Sequence, residues 1–385
     1  MDQQFYEEVQ EPVSPPGQYF NSSVICSYVF GFLEMAVPID DLETLPLLKD
    51  VFLPINPRFS SIMVRDQDGK MIWKRVQVKP EEHVKIPKLP ECNSPELYDQ
   101  YFGDYVTRIL TERTPQNKPL WEIHIIKYPT SNAAGTLIFK LHHALGDGYS
   151  LMGALLSCLQ RIDDPSLPLT FPSRASSNSQ HAKKTEFKML PSVVSTFFNS
   201  VSDFGSSLVK TRMIVDDKTP IRSGYEGTES TPFTLSNISL SLDHIKAIKS
   251  KLRVIDYMAR KANSTAVVML NTRNIRGYQS VKEMQKPELK GLWGNKISFL
   301  QVPIPKLSQS KISNPLEFVW NAQKLIKRKR RSFSVYLIGL LLDLEMKLRG
   351  PENVDITIMS YVKELRITLK TLKGFIDEQK FKFCL

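Results

Sequence analysis

Long apolar runs and clustered cysteines are both missing from this sequence of 385 residues. The best apolar run, Val335 to Leu342, is far shorter than the roughly 18 to 20 residues that a membrane-spanning helix needs, so we expect any membrane contact to be peripheral. The four cysteines lie far apart without CxxC spacing, which argues against zinc and disulfide frameworks and favours a reducing compartment. No basic segment followed by an apolar core opens the chain, so no secretory signal is predicted.

The composition is that of a folded globular protein, with 42% apolar and 24% charged residues. The length exceeds what one hydrophobic core usually supports, so two domains are expected. A formal net charge of +11 favours anionic partners such as CoA phosphates, anionic lipid headgroups or nucleic acid. Nucleic-acid binding lacks a supporting fold signature, so no nucleic-acid partner is predicted.

Helical and strand-like patterns alternate along the chain and predict a mixed α/β (α+β) protein. We predict an N-terminal domain over 1–165, a linker with an amphipathic helix over 166–228, and a C-terminal domain over 229–385. The first twenty residues, rich in proline, read as an irregular lead-in. The predicted helices cover 98–111, a segment after Gly148, 190–208, 243–252 and 315–346; strands are predicted on both sides of a turn at 66–69 and near 119–127, 136–141, 231–241, 265–271, 297–302, 356–361 and 365–369.

Two adjacent histidines, His142 and His143, end one predicted strand just before a glycine-rich turn and a helix. Neighbouring residues of a strand point to opposite faces, so one imidazole faces a cleft while the other braces the interior. Imidazole titrates near neutral pH and is the usual side chain for removing a proton from a hydroxyl or thiol. Asp147, between Gly146 and Gly148, either holds the imidazole or fixes the loop by pairing with a cation elsewhere. The glycines leave the histidine uncovered.

Other kinds of site fit the same residues less well. Metal binding would need His143 and Asp147 on one helical face, which the glycines disfavour. A dinucleotide fingerprint lacks its third glycine at the right spacing, and the nucleophile elbow of serine hydrolases is absent because Gly148 to Gly153 contains one residue too many. The alternative to a catalytic site is a turn in the core in which both histidines form hydrogen bonds and have only a structural role.

The pattern HHxxxDG from His142 to Gly148, after an apolar strand and before a helix, is the signature of CoA-dependent acyltransferases. Within that superfamily the chain resembles the plant wax ester synthase/diacylglycerol acyltransferase family. Further matches to the family's pattern are Pro119 to Glu122, Asn271 to Arg273 followed by Arg276 and Gly277, and Leu292 to Asn295. The resemblance covers most of the chain and implies two chloramphenicol-acetyltransferase-like domains with mixed sheets and a tunnel at their interface.

The resemblance also implies transfer of a fatty acyl group from acyl-CoA to a long-chain alcohol or to diacylglycerol, with acyl-CoA as a substrate and no metal or other cofactor. Carried onto this sequence, His143 deprotonates the acceptor hydroxyl with His142 as support, Asp147 organises the loop, and Gly148 lets the substrate approach. Asn295 is the candidate for polarising the substrate; its alternative role is a turn residue before a strand. The implied location is the cytosolic face of the endoplasmic reticulum membrane, or the plasma membrane, with peripheral attachment.

Two segments of the family pattern are missing, which predicts a truncated second domain. An Asn-Asp-Val segment is absent where Lys251 to Val254 runs into Ile255, and a Ser-Asn-x-x-Gly-Pro segment is absent where Gly350 to Val354 runs into Asp355. Such gaps are expected to expose apolar surface. Two hypotheses follow: a working lipid O-acyltransferase, or a truncated relative that binds lipid, acyl-CoA or a partner without turnover.

A basic run from Lys324 to Arg331 lies inside the predicted helix 315–346. It fits acyl-CoA phosphates, anionic lipid, a nuclear localisation signal or a solvated helix face, and the sequence leaves these interpretations open.

Overall fold

The structure, a computed structural model, describes residues 11–161 except 22–25 and 93, residues 164–167 and 169, and the segments 233–241, 265–273, 293–303, 315–330, 354–361 and 364–372. These residues fall into two compact units. The first unit lies within Met1–Tyr105, Glu112–Ala182 and Asn271–Ile297, and the second within Val106–Thr111, Lys183–Leu270 and Ser298–Leu385. The segment Asn271–Ile297 therefore belongs to the same unit as the HHxxxDG motif, while the predicted boundaries 1–165, 166–228 and 229–385 stay predictions.

Seven strands among the described residues of the first unit form two sheets. They are β1 (Glu11–Pro12), β2 (Tyr28–Met35), β3 (Ser61–Arg65), β4 (Met71–Arg75), β5 (Val84–Lys85), β6 (Trp121–Ile126) and β7 (Gly135–His142). The larger sheet has the order β2-β7-β6-β5, in which β5 runs parallel to β6 and the other pairs are antiparallel. The smaller sheet has the order β1-β4-β3. The predicted strands near 119–127 and 136–141 are confirmed, and the sheet is mixed as expected.

One face of the larger sheet forms the apolar core of the first unit. Alternation along β6 and β7 places every second residue on this face, and these side chains join one buried cluster: Trp121, Ile123, Ile125, Phe139 and Leu141. Complete burial of one such side chain contributes roughly 1.5 to 3 kcal/mol. The core therefore fixes the register of β7, and with it the position of His142 at the strand's end.

The opposite face of the same sheet is partly polar and includes His142. Lys140 is only 1% exposed; its Nζ donates to the backbone oxygen of Glu112 at 2.8 Å and lies 3.3 Å from a carboxylate oxygen of Glu122. These contacts satisfy a buried ammonium group that would otherwise be costly. Residue alternation on β7 thus puts His142 on the polar face, away from the apolar core.

The short helices of the first unit precede or follow the strands of its larger sheet. They are α1 (Pro15–Phe20), α2 (Thr44–Leu47), a π-helical turn (Leu48–Phe52), α3 (Leu53–Ile55), 3-10 turns at Pro57–Ser60 and Pro80–Glu82, and α5 (Gly148–Ser157), while α4 (Pro95–Thr111) runs from the first unit into residues of the second. The turn before β4 contains Gly69 with φ +78°, as the predicted Gly-containing turn requires. The helices predicted at 98–111 and after Gly148 are confirmed.

The predicted irregular lead-in is wrong for residues 15–20, which form α1. Ser14 caps this helix by accepting a hydrogen bond from the Gly17 N–H at 3.3 Å, and proline occupies the first turn, where its missing N–H costs nothing. Tyr19 and Phe20 are both 4% exposed. Burial of these aromatic rings stabilises a helix whose proline-rich sequence suggested a loop.

The second unit contains two further sheets and a helix among its described residues. The strands are β8 (Phe233–Ser241), β9 (Thr265–Asn271), β10 (Ile297–Pro303), β11 (Val354–Tyr361) and β12 (Glu364–Leu372), in the orders β11-β12-β8 and β10-β9. Helix α6 (Pro315–Arg330) covers part of the predicted helix 315–346. The predicted helices at 190–208 and 243–252 lie outside the described residues. No helix in the described part of the chain has the length and apolar character to cross a membrane.

Candidate active site

His143 follows directly after β7 and lies against α1. Its backbone N–H donates to the oxygen of Ser27 at 2.8 Å, which continues the pairing of the chain beyond the last residue of the strand. The imidazole stacks on the ring of Phe20, with centroids 4.1 Å apart and an interplanar angle of 26°. The residue is 7% exposed. The aromatic contact fixes the plane of the ring and shields one of its faces.

Asn295 fixes the tautomer of this imidazole. Its Nδ2 donates to the backbone oxygen of His143 at 2.7 Å, and its Oδ1 lies 2.9 Å from His143 Nδ1. A carbonyl oxygen can only accept, so the amide must present its NH₂ group to the backbone and its oxygen to the ring. Nδ1 of the neutral ring therefore carries the proton and donates it to Asn295 Oδ1, which leaves the lone pair on Nε2. That is the arrangement a general base needs.

His142 is held as a neutral, fully buried group. Its Nδ1 accepts the N–H of Ala144 at 3.0 Å, and its ring meets Tyr28 edge-on with centroids 4.9 Å apart. Burial, reinforced by the neighbouring His143 and nearby positive charges, lowers the pKa of His142 from 6.5 to about 3. His142 therefore braces the turn and does not titrate near neutral pH. The predicted division of roles, with His143 as the base and His142 as its support, stays a prediction.

Asp147 holds the motif loop and the start of α5. Its carboxylate caps the helix by accepting the N–H of Ser150 at 3.1 Å, with extended backbone angles at the cap residue. The same carboxylate forms a forked ion pair with Arg273, Nη1 to Oδ2 at 2.6 Å and Nη2 to Oδ1 at 2.9 Å. Their side chains are 2% and 1% exposed. Of the two roles left open for Asp147, the geometry therefore shows pairing with a cation, not contact with the imidazole.

A hydrogen-bond network links the Asp147–Arg273 ion pair to the turn before Asn295. Its members are Arg273, Ser150 and Gly294. Arg273 Nη2 reaches Ser150 Oγ at 2.9 Å and the Gly294 oxygen at 2.6 Å, and the Gly294 N–H donates to Ser150 Oγ at 3.2 Å. Gly294 has φ +105°, a left-handed conformation that side-chain-bearing residues rarely adopt. This turn directs the next residue, Asn295, to His143. The ion pair and the histidine thus share one buried scaffold.

The motif loop has a second anchor at the oxygen of Leu145. Trp293 Nε1 donates to it at 3.0 Å and Arg58 Nη1 at 3.1 Å. A Cβ built on Gly294 would lie 3.2 Å from that same Arg58 nitrogen, so a larger residue there would displace the guanidinium. The segment from Trp293 to Asn295 is therefore bonded to the HHxxxDG loop at successive residues.

The residues predicted for the site fall into two groups. His142, His143, Asp147 and Asn295 come together, whereas Gly148 begins α5 at an exposed position where an added Cβ would meet no described heavy atom within 4 Å. The predicted role of Gly148 in substrate approach stays a prediction. Sequence reasoning missed Phe20, Ser150 and Arg58; Arg273 carried a signal only through the family resemblance, and Phe20 carried none.

Comparison with solved structures identifies the fold. The first condensation domain of the calcium-dependent antibiotic synthetase superposes with a TM-score of 0.59 at 12% identity, covering 98% of this chain and 95% of that one. The wax ester synthase/diacylglycerol acyltransferase from Marinobacter aquaeolei VT8 gives a TM-score of 0.54 at 12% identity, covering 97% and 96%. Both have the chloramphenicol-acetyltransferase-like fold, so the predicted fold class is confirmed.

Sequence comparison then identifies the family. The wax ester synthase/diacylglycerol acyltransferase catalytic domain matches residues 56–265, more than half of the chain, and the WS/DGAT C-terminal domain matches residues 293–355. His143 and Asp147 lie in the first match and Asn295 in the second. The chain therefore belongs to the wax ester synthase/diacylglycerol acyltransferase family, a family of acyltransferases.

Curated relatives match nearly the whole chain. Wax ester synthase/diacylglycerol acyltransferase 11 of Arabidopsis thaliana is 28% identical over 409 residues, covering 97% of this chain and 82% of the relative; number 4 is 25% identical over 418 residues, covering 97% and 79%. Because these aligned lengths exceed the 385 residues of this chain, the relatives contain residues inside the matched region that have no counterpart here. This agrees with the predicted internal deletions, whose positions stay a prediction.

Proposed function

We propose that this protein transfers a fatty acyl group from acyl-CoA to the hydroxyl of a long-chain alcohol, of diacylglycerol or of both, with His143 as general base. The observation that carries the proposal is the pair of hydrogen bonds between His143 and Asn295, which places the imidazole lone pair on Nε2. Family membership supplies the reaction class, and the names of the relatives supply the acceptors.

The reaction needs one group that takes and returns a proton. His143 Nε2 accepts the proton of the acceptor hydroxyl as the oxygen attacks the thioester carbonyl carbon. The tetrahedral intermediate then expels the CoA sulfur; the carbon–sulfur bond breaks, and the proton on Nε2 passes to the leaving thiolate. The products are an ester and free CoA, and the histidine returns to its starting state.

Asn295 and Asp147 serve as positioning residues in this proposal. Both polar atoms of the Asn295 side chain contact His143, which supports a role in orienting the base over the substrate-polarising role expected from the sequence. Asp147 supports the base indirectly, because its carboxylate pairs with Arg273 and caps helix α5. A preorganised base avoids the cost of reorientation during the reaction.

The proposed site of action is the cytosolic face of the endoplasmic reticulum membrane, or the plasma membrane, with peripheral attachment. Long-chain alcohols and diacylglycerol are water-insoluble, so an enzyme that uses them must meet them at a lipid surface. A net charge of +11 favours an anionic surface of this kind. Fluorescence microscopy of a tagged chain with organelle markers tests this location.

The direct test of function is acyl transfer by the purified chain from labelled palmitoyl-CoA to a long-chain alcohol or to diacylglycerol. His143→Ala should lower kcat by about 10² to 10⁴, the usual contribution of a general base. His83→Ala is the matched control, because His83 is also buried and bonded, with Nδ1 2.7 Å from the Trp121 oxygen, but lies outside the site.

Ester formation by the parent and by His83→Ala, together with its loss in His143→Ala, supports the proposal. The absence of ester from well-folded parent protein would instead favour the alternative of a truncated relative that binds lipid or acyl-CoA without turnover.

A further inference from the structure

Helix α6 has one buried face and one exposed face. Leu325 and Ile326 pack against Leu300 and Val302 of β10, which anchors the helix to its own unit. Trp320 is 57% exposed, an unusual position for the largest apolar side chain. The helix therefore presents an aromatic ring to solvent although it has a partner for its other face.

Two exposed lysines share the surface of Trp320. Lys324 and Lys327 follow it by four and seven residues, the spacing that lines up side chains along one side of a helix, and both are exposed. At about 100° per residue the three positions fall within a narrow arc, opposite the arc of Leu325 and Ile326. We name the surface of Trp320, Lys324 and Lys327 the Trp320 face.

The charge of this part of the helix has a single sign. From Phe318 to Arg330 the sequence contains five lysines and arginines and no aspartate or glutamate. Intrahelical ion pairs, which usually neutralise a solvated basic helix, are therefore impossible among these residues. An exposed tryptophan beside two exposed lysines, here Lys324 and Lys327, is the combination that interfacial helices use, with the ring at headgroup depth and the ammonium groups on lipid phosphates.

We propose that the Trp320 face docks the protein on the surface of an anionic lipid bilayer. The argument for this occupant is charge complementarity together with the aromatic ring. The proposal rests on the proposed function, because a bilayer is where the acceptor lipids reside. Docking through a helix that is already folded and packed requires no insertion of a spanning segment, and its strength depends on headgroup charge.

The test is sedimentation of the purified full chain with phosphatidylcholine vesicles that contain or lack phosphatidylserine. The parent should bind the anionic vesicles more strongly, and added salt should weaken this binding because it screens the charges. Lys324→Gln with Lys327→Gln should lower the partition coefficient on anionic vesicles roughly thirty-fold, from about 1 kcal/mol per basic residue near the surface. Trp320→Gln should lower binding to both kinds of vesicle.

Matched controls change residues of the same type elsewhere. Lys74→Gln with Lys88→Gln removes two exposed lysines, and Leu42→Gln removes an apolar side chain that is 78% exposed. Both controls should keep vesicle binding within about two-fold of the parent, a drop far smaller than the one expected for the face. Equal losses of vesicle binding in the two double-lysine variants would show a general effect of net charge and would overturn the proposal. Equal binding of the parent to vesicles with and without phosphatidylserine, or binding to neither, would also overturn it.

Acyl transfer to a short, water-soluble alcohol without vesicles separates this proposal from the proposed function. The Trp320-face variants should retain that activity at the parent rate, and a loss of vesicle binding then reports docking alone. If the parent forms ester neither with this alcohol nor with the long-chain acceptors, the proposed function fails while the vesicle result still stands. An increased KM for acyl-CoA in solution, with unchanged vesicle binding, would assign the lysines to the acyl donor and refute docking.

Discussion

Substitution of Asn295 tests how the base is held. Asn295→Ala removes the acceptor of the His143 Nδ1–H at 2.9 Å and the donor to the His143 oxygen at 2.7 Å. A hydrogen bond of about 1 to 1.5 kcal/mol favours the productive tautomer by roughly ten-fold, and a misplaced base costs up to about a hundred-fold more. We therefore expect kcat to fall by roughly 10- to 1,000-fold, with little change in KM for acyl-CoA.

Asn295→Asp distinguishes orientation of the base from polarisation of the substrate. A carboxylate beside Nδ1 stabilises the imidazolium and should therefore raise the pKa of His143 in this variant. Because the base must be neutral to act, the acidic limb of the plot of kcat/KM against pH should move to higher pH by the same amount. A reduced rate with an unmoved limb would refute the assigned contact and return Asn295 to the substrate-polarising role.

The matched control for Asn295→Ala is Asn56→Ala. The Asn56 side chain also accepts a backbone hydrogen bond in the first unit, from Arg58 N–H at 3.0 Å, but it does not contact His143. Its loss should cost stability of the order of 1 kcal/mol and leave kcat unchanged. A comparable fall in kcat in this control would mean that the rate reports general destabilisation.

Three further substitutions probe the scaffold around the base. Arg273→Lys keeps the charge but loses the fork on Asp147, so the free energy of unfolding should fall by roughly 2 to 3 kcal/mol, measured by calorimetry as a drop in Tm; an unchanged Tm would contradict the network. Phe20→Ala should lower the free energy of unfolding by roughly 3 to 5 kcal/mol. It should also lower kcat, because the Phe20 ring stacks on His143; full activity of the variant at low temperature would exclude a positioning role for Phe20. His142 has a pKa of about 3 in the folded chain against an ordinary 6.5, so the unfolded chain binds the extra proton and stability falls as pH drops through that window, by about 1.4 kcal/mol per pH unit. In His142→Asn this contribution should be absent, so the urea unfolding midpoint should depend less on pH between pH 6.5 and pH 4. An unchanged dependence of the midpoint on pH would show that another group dominates.

Local patterns in the sequence were sufficient for the elements that position the histidines. Alternation in β6 and β7, the apolar spacing of α5 and the turn at Gly69 all depend on residues close together in the chain. The helix over residues 15–20 was mispredicted, because its stability comes from burial of Tyr19 and Phe20 and not from its own proline-rich sequence. Propensity describes a segment alone, whereas burial depends on what packs against it.

The amino-acid sequence by itself determined the class of chemistry, because its HHxxxDG pattern from His142 to Gly148 resembles that of CoA-dependent acyltransferases and the family match confirms that class. The roles of His143 as base and Asp147 as loop brace stay predictions. Only the tertiary structure decided which ring nitrogen holds the lone pair, because Asn295 lies 152 residues from His143 along the chain and meets it through a left-handed turn at Gly294. It likewise assigned Arg273 as the partner of Asp147. Contacts between distant residues depend on the packing of whole elements, and no local pattern encodes them.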